Sequence, residues 1–308
     1  MLDHLDQFEF CRLQIRLDLL TAVHFHPALL LELRGALHRI GRQVLGGGQG
    51  FNLIFDPPVP AAAFGTRRFQ RPGPAFVMAM PSTPSRLHAA GESLLLDLSL
   101  FGAGIRSADD FIAILTELGR SGLVDGAGHF EIGALSVFDA AGRGETLALN
   151  LPIAGRLPII SARWYLENQP ESSLWRLTLA SPARLLAGGR PLFRGTLQRV
   201  VPFIMRRVTS MAYAHCGAEL VRDPQRILAA GAALVLESER FRWQDWRALD
   251  PGGENIDLGG LVGAATFSAP ADEDLVALLQ LGSLLGVGKR AAYGAGHLRL
   301  EALAAELG

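Results

Sequence analysis

The sequence is short of three things: cysteine, lysine and long apolar runs. Its 308 residues include two cysteines, Cys11 and Cys216, which are too few for a disulfide framework or a cysteine-based zinc site. No apolar run reaches the roughly 18 residues that a membrane span needs. The first ten residues, MLDHLDQFEF, lack the basic-then-apolar layout of a secretory signal. These absences predict a cytoplasmic protein with no membrane partner.

The chain also has no large excess of charge of either sign, because its formal net charge is −1. The chain as a whole therefore has no electrostatic attraction to nucleic acid, although a local basic patch would be enough to bind one. Lys289 is the only lysine, and a GC-rich genome would explain this excess of arginine. With 49% hydrophobic residues, a chain of this length is expected to form two domains with sizeable cores.

The first half alternates between strand and helix patterns. Apolar residues on every second position predict a strand over 11–20, and Leu29, Leu33, Leu37, Ile40 and Val44 give a helix over 26–45 its apolar face. A Pro-rich irregular stretch from Asp56 to Pro84 follows. A second strand is predicted over 93–102, a helix over 107–119 and a closing strand over 128–139. Ser107 and Asp110 have the spacing of a capping box, and Gly119 is the expected end of that helix.

The second half repeats this order of elements. Strands are predicted over 174–186, 259–269 and 296–303, and helices over 196–215 and 272–288. The motif GAGH at 126–129 returns at 294–297, each time between an apolar helix and an amphipathic strand. The repeat predicts an α+β protein of two tandem ferredoxin-like βαββαβ domains, over 1–150 and 151–308, each ending in a glycine-rich loop and a strand.

The most distinctive segment is GVGKRAAYGAGHLRLE, over 286–301. It is not a P-loop, because Ser283 stands where the first glycine belongs and Arg290 replaces the Ser or Thr that would bind magnesium. It also follows a helix and precedes a strand, the reverse of both the P-loop and the Rossmann order. A loop with Lys289, Arg290 and Tyr293 could instead hold a polynucleotide through charge and stacking. The alternative is that its glycines only allow a tight helix-to-strand turn.

Taken in order, these segments resemble the RAMP superfamily of CRISPR-associated proteins, and in particular the endoribonucleases that cut CRISPR repeat RNA into guide RNAs. The resemblance covers most of the chain. It rests on LRGALHRIGRQV, NLIFDPPVP, LFGAGIRSADDFIAILTELGRSGLVDGAGHFEI, LTLASPARLLAGGRPLF, FRWQDWRALD, LGGLVGAATF and LLQLGSLLGVGKRAAYGAGHLRLE.

The resemblance implies metal-independent RNA cleavage without a cofactor. A ribose 2′-hydroxyl would attack the adjacent phosphate and leave a 2′,3′-cyclic phosphate and a 5′-hydroxyl. The implied partners are CRISPR repeat RNA, guide RNA and other CRISPR effector subunits. An alternative within the same superfamily is a non-catalytic subunit that binds guide RNA in an effector complex.

In this family a histidine on or just after the first helix often acts in catalysis. His38 is the first candidate, because Arg34, His38 and Arg42 share a helix face opposite the leucines and would attract a phosphate. Without a catalytic role, His38 would be an exposed helix residue beside arginines. His26 is the second candidate, although it precedes Pro27 and could simply lie in the entry turn of the helix.

The remaining candidate residues are expected to bind RNA. Lys289, Arg290 and Tyr293 would make contacts in the loop that Gly286, Gly288, Gly294 and Gly296 shape. Arg42 on the first helix, and Arg206 and Arg207 on the first helix of the second domain, complete the set. Tyr213 and His215 form a reserve pair, for which core or surface roles are the alternative.

Overall fold

A computed structural model gives the fold. It describes residues 2–26, 29–58, 72–81, 83–124, 126–149, 152–245, 247–249, 255–257 and 259–304. The strands are β1 (Glu9–Leu19), β2 (Val23–His24), β3 (Phe76–Ala79), β4 (Leu87–His88), β5 (Ser93–Phe101), β6 (Phe130–Phe138), β7 (Gly144–Leu147), β8 (Ile160–Ser161), β9 (Leu174–Ala183), β10 (Leu186–Ala187), β11 (Arg190–Pro191), β12 (Leu236–Gln244), β13 (Arg247–Leu249), β14 (Asn255–Asp257), β15 (Gly260–Ser268) and β16 (Leu298–Leu303). The α-helices are α1 (Leu29–Leu45), α2 (Gln49–Phe55), α3 (Ala108–Ser121), α4 (Ala162–Glu167), α5 (Leu197–Cys216), α6 (Pro224–Ala232) and α7 (Glu273–Leu285).

The first domain is built on an antiparallel sheet with the order β3-β5-β1-β6-β7, and β8 pairs with the start of β1. The first four of these strands, with α1 and α3, make the βαββαβ arrangement that the patterns predict. On β1 the apolar residues Leu13, Ile15, Leu17 and Leu19 are all buried. On α1 the predicted apolar face is buried except Val44, which is 40% exposed.

The second domain repeats the topology in the sheet β12-β15-β9-β16, with α5 and α7 as its two main helices. The apolar face of α5 is completely buried, and each such side chain contributes about 1.5–3 kcal/mol to stability. The strand β12 was missed by the sequence patterns, because exposed charged residues alternate there with side chains that are only half-buried, and just Phe241 and Trp243 of its middle pack against the core. The two-domain ferredoxin-like prediction is confirmed.

Three local predictions in the first domain are wrong. The stretch from Asp56 to Pro84 contains β3, a fully buried edge strand, and its residues 59–71 and 82 lie outside the described part of the chain. Ser107 makes no side-chain capping bond, because a 3-10 turn over Gly102–Ser107 leads directly into α3. That helix also continues past Gly119, which packs against Phe130, and ends where Gly122 takes a φ of +85°.

The two domains share their cores. Ala292, Tyr293 and Ala295 of the second domain pack into the core of the first. In return, Phe10 of β1 meets Tyr165 edge-on, with ring centroids 5.6 Å apart. This mutual packing fixes the relative position of the elements that line the space between the domains. The domain boundary at residue 150 stays a prediction, since 150 and 151 lie outside the described residues.

Among the described helices, none has both the length and the apolar character needed to cross a membrane. The described His, Cys, Asp and Glu side chains likewise form no cluster of three or more that could hold a metal ion.

Candidate functional site

A cleft of about 1050 Å³ lies where α1 meets the glycine-rich loop (286–297), which joins α7 to β16. The loop is anchored on the end of β9: the Gly296 N–H donates to the carbonyl of Pro182 at 3.0 Å, and Ser181 Oγ donates to the carbonyl of Gly294 at 2.7 Å. These bonds hold the loop against the second domain, while its central residues reach the first.

The four glycines of this loop all have positive φ, as the sequence indicated. Gly286, Gly288, Gly294 and Gly296 have φ values of +62°, +93°, +84° and +58°. A Cβ on Gly296 would lie 1.9 Å from the carbonyl oxygen of Val287, so the turn has no room for a side chain there. Gly126 and Gly128 of the first GAGH motif also have positive φ, so the repeat extends to the backbone conformation.

At the centre of the cleft, His38 of α1 contacts Tyr293 of the loop. His38 Nε2 and the Tyr293 hydroxyl lie 2.8 Å apart, across 255 residues of sequence. The tyrosine ring is 3% exposed and packs edge-on against Phe76, with ring centroids 5.5 Å apart. The prediction that Tyr293 offers a stacking surface to a base is therefore wrong, because its ring is already covered by the first domain. Its hydroxyl instead contacts the imidazole of His38.

The electrostatics of this pair favour neutral groups. Partial burial lowers the pKa of His38, Arg34 and Arg42 lower it further, and Asp56 acts in the opposite direction. Burial raises the pKa of Tyr293 well above its usual range, even though the charge and hydrogen bonding of Arg34 act to lower it. Near neutral pH the imidazole is thus available to accept a proton, and the phenol keeps its own.

Basic side chains surround the pair on several elements. The cations of the described cleft lining are Arg34, Arg42, Arg184, Arg206, Arg207, Lys289 and Arg290, and its carboxylates are Asp56 and Glu219. A chain with a net charge of −1 thereby concentrates positive charge in one concave surface. Clefts of this kind attract polyanions and raise their local concentration.

Arg290 is the cation most clearly prepared for a ligand. Its backbone is left-handed, with a φ of +63°, which is uncommon for a residue with a side chain. Its Nη1 atom is buried and has no hydrogen-bond partner within the described residues. Burial, with Arg34 and Arg184 nearby, lowers the pKa of Arg290. Lys289 is exposed beside it, and its N–H donates to the carbonyl of Arg184 at 3.0 Å.

The other predicted residues divide between the cleft and its surroundings. Arg34 is in the cleft, and Arg42 lies there over the ring of Phe51, 5.1 Å from its centroid. His26 is not part of the cleft lining, and its Nε2 lies 3.4 Å from a carboxylate oxygen of Glu32. Its catalytic role stays a prediction.

The second-domain arginines and the reserve pair lie further along the cleft. Arg206 is exposed over the ring of Phe203, and Arg207 turns inward. Tyr213 lines the cleft. His215 is buried and its Nε2 lies 3.0 Å from the carbonyl oxygen of Gly73, so His215 has a structural role.

Sequence reasoning missed three contributors to the cleft. Arg184 follows the last residue of β9, Asp56 follows α2, and Gly73 precedes β3. Arg184 and Asp56 lie in segments that carry the family resemblance, but no local signal in the sequence separates these residues or Gly73 from their neighbours. Their position next to an element that borders the cleft could have identified them, and it requires knowledge of the tertiary fold.

Comparison with known proteins agrees with this architecture. Residues 177–298 match the family model of the CRISPR-associated endoribonuclease Cas6, and residues 8–150 match a model described as an N-terminal domain. No curated protein matches the sequence.

Solved structures resemble the chain over nearly its whole length. The partial Cas6-RT-Cas1–Cas2 complex has a TM-score of 0.59 at 13% identity and covers 96% of this chain, which spans 46% of that one. A product complex of Thermus thermophilus Cas6 has a TM-score of 0.54 at 14% identity, with 95% and 99% of the two chains covered. A Cas6 substrate-mimic complex has a TM-score of 0.52 at 18% identity, also with 95% and 99% covered. At these identities the likeness establishes the fold, and this chain is less than half as long as the first of these structures.

Proposed function

We propose that this chain is a member of the RAMP superfamily of CRISPR-associated proteins and that it cuts CRISPR repeat RNA in the cleft between its domains, because residues 177–298 match the Cas6 endoribonuclease family model. The observation that carries the proposal is the meeting of His38 with Tyr293 and the unpaired Arg290. A proton acceptor, a group that orients it and a cation with free hydrogen-bonding capacity then share one basic cleft.

The proposed reaction is a transesterification within the RNA strand. The ribose 2′-oxygen attacks the adjacent phosphorus as its proton passes to the neutral imidazole of His38. The bond from phosphorus to the 5′-oxygen of the next nucleotide breaks, and this oxygen takes a proton from water. The products are a 2′,3′-cyclic phosphate and a 5′-hydroxyl. General base catalysis by a positioned imidazole typically contributes 10²–10⁴-fold to such a rate.

Arg290 is proposed to stabilise the negative charge that develops on the phosphate oxygens. Donors that are already fixed and desolvated before the substrate arrives stabilise a transition state more effectively than mobile ones, because little reorganisation is needed. The anchored loop holds the backbone of Arg290 in place, and Arg34 and Lys289 add positive charge at the same end of the cleft. Together these groups would bind the scissile phosphate next to His38.

The test is incubation of the protein with repeat RNA in EDTA. We expect cleavage at one site and no cleavage when the ribose at that site is 2′-deoxy. Tight binding with intact RNA would contradict cleavage and favour the non-catalytic guide-RNA subunit.

His38→Ala should slow the reaction by at least about 10²-fold. His24→Ala is the matched control, because that histidine lies on the short strand β2 outside the cleft lining. His26→Ala tests the second candidate: a loss as large as that of His38→Ala would move the catalytic site to the entry of α1. If His38→Ala cuts within about twofold of the wild-type rate, the assignment of the base is wrong.

A further inference from the structure

Arg207 occupies a different part of the cleft from His38 and Arg290. It lies on α5, next to the exposed Arg206, but its side chain turns inward. Its Nε and Nη2 atoms are excluded from solvent and have no hydrogen-bond partner in the part of the chain that the structure describes. Two adjacent arginines on one helix therefore differ completely in their surroundings.

The protein makes room for this guanidinium. A Cβ on Gly73 would lie 2.1 Å from Arg207 Nη1, so any larger residue at position 73 would displace it. The carbonyl of Gly73 is in turn held by His215, whose Nε2 lies 3.0 Å away. The pocket around Arg207 is thus shaped by both domains, with Gly73 from the first and α5 from the second.

No group of the described structure balances the charge. His215 cannot do so, because burial lowers its pKa to about 4 and keeps the imidazole neutral, and an imidazolium would in any case repel the arginine. Burial alone accounts for the lowered pKa of Arg207, about 10, with no carboxylate acting in the opposite direction. An unpaired buried charge is costly to a folded protein, and an unsatisfied buried donor calls for an explanation.

A bound anion would explain why Arg207 is kept buried and unpaired in the protein alone. Arg34 and Arg184 lower the pKa of Arg290, whereas Arg207 lowers the pKa of His215. Arg290 and Arg207 therefore have different neighbours and form two separate positive positions. Both belong to the lining of the same cleft. A strand that places one phosphate at Arg290 and runs along this cleft brings another phosphate to Arg207. A guanidinium matches two phosphate oxygens with parallel N–H donors, and Nε with Nη2 form one such pair.

We infer that Arg207 binds a backbone phosphate of the RNA at a second position in the cleft, separate from the phosphate that is cut. The inference rests on the proposed function for the identity of the ligand. The site is specific for the phosphate group and carries no base specificity. Its role is to set the register of the strand relative to His38.

The main experiment compares Arg207→Met with the wild type and with Arg199→Met. Arg199 is an exposed arginine on the same helix outside the cleft lining, so it controls for the loss of one charge. Affinity for a 2′-deoxy, uncuttable repeat RNA is measured from 50 to 300 mM KCl. For Arg207→Met we expect affinity to fall roughly 10- to 100-fold and the slope of log K against log salt to decrease by about 0.7, the value for one phosphate of a single strand. Arg199→Met should change the slope by much less.

A phosphate scan then locates the contact. Each RNA phosphate in turn is replaced by a neutral methylphosphonate, and the affinity loss is compared between wild type and Arg207→Met. One position away from the cut site should weaken wild-type binding and leave the variant unaffected, which is the coupling expected of a direct pair. If no position shows this coupling, or if the salt slope of Arg207→Met equals that of the wild type, the inference is wrong even when the wild-type protein cuts RNA normally.

A thermal melt separates this inference from the proposed function. Without RNA, Arg207→Met should melt at the wild-type temperature or a few degrees higher, since it removes an unpaired buried charge. Inorganic phosphate should stabilise the wild type more than the variant, which keeps only the phosphate position at Arg290. If phosphate stabilises the two proteins unequally but the wild type neither binds nor cuts repeat RNA, the proposed function is wrong and the anion site at Arg207 still stands. Equal stabilisation of both proteins by phosphate would overturn the anion site, and a melting temperature of Arg207→Met well below the wild type would show that Arg207 is structural.

Discussion

The contact between Tyr293 and His38 gives the sharpest prediction. Tyr293→Phe removes one hydroxyl and keeps the ring that packs against Phe76. The bond that is lost is 2.8 Å long and partly buried, and a net contribution of about 1 kcal/mol is typical of such a bond. If that bond holds the imidazole of His38 in its reactive position, the same energy appears in the barrier and the cleavage rate falls about fivefold.

The assay is single-turnover cleavage with the enzyme saturating the RNA, so that the rate reports the chemical step. Binding of RNA should be unchanged, because the hydroxyl is buried against His38. Tyr165→Phe is the control: it removes a hydroxyl from another buried tyrosine, one that bonds Ser283 outside the cleft. That variant should lose comparable stability and no activity.

Two results would refute this reasoning. If Tyr293→Phe cuts at the wild-type rate, the hydroxyl does not position His38. If its rate falls more than about 100-fold, Tyr293 takes part in proton transfer itself, because losses of that size are typical of a general acid or base.

Three further predictions follow from the same cleft. Because its pKa is lowered, His38 should stay neutral to a lower pH than an ordinary histidine, so the cleavage rate should fall only on the acid side of the ordinary histidine pKa. Arg34→Gln removes a nearby cation, raises the pKa of His38 and should move this acid limb to higher pH in a pH–rate profile. Arg290→Gly should be more stable than Arg290→Ala by about 1 kcal/mol in urea unfolding, because the backbone at this position is left-handed. Both variants should cut RNA roughly 10²-fold more slowly than the wild type. Equal stabilities would contradict the left-handed backbone at position 290. Gly296→Ala should destabilise the protein by at least about 2 kcal/mol, because the new side chain adds backbone strain and collides with a carbonyl. Gly126 has a similar φ but open space around it, so Gly126→Ala should cost only about 1 kcal/mol. If Gly126→Ala lowers the melting temperature more than Gly296→Ala does, the loop rearranges around the new side chain.

Much of each domain could be predicted from the sequence, for identifiable reasons. The strand β1 and the helices α1 and α5 bury one face against their own core, and this burial leaves a period of two or 3.6 in the residues. Where the pattern is absent the prediction failed: β12 has charged residues on alternate positions, and the cap of α3 was replaced by a 3-10 turn.

The candidate site could be predicted only in part. The shared helix face of Arg34, His38 and Arg42 follows from their spacing of four, and the glycines of the loop correctly indicated a left-handed backbone. Tyr293 was assigned to the right loop but to the wrong role. A tyrosine between small residues gives no local sign of whether its ring will be covered, and here a strand of the other domain covers it.

The sequence by itself determined two repeated folding units, a basic helix face and a glycine-shaped turn, because each depends on residues close together along the chain. Only the tertiary structure decided that His38 and Tyr293 meet across 255 residues, and that Arg206 reaches solvent while Arg207 packs next to Gly73 in the cleft. Local periodicity records which side of an element faces its own core. It does not record what another domain places against the opposite side, and the cleft is formed by those contacts.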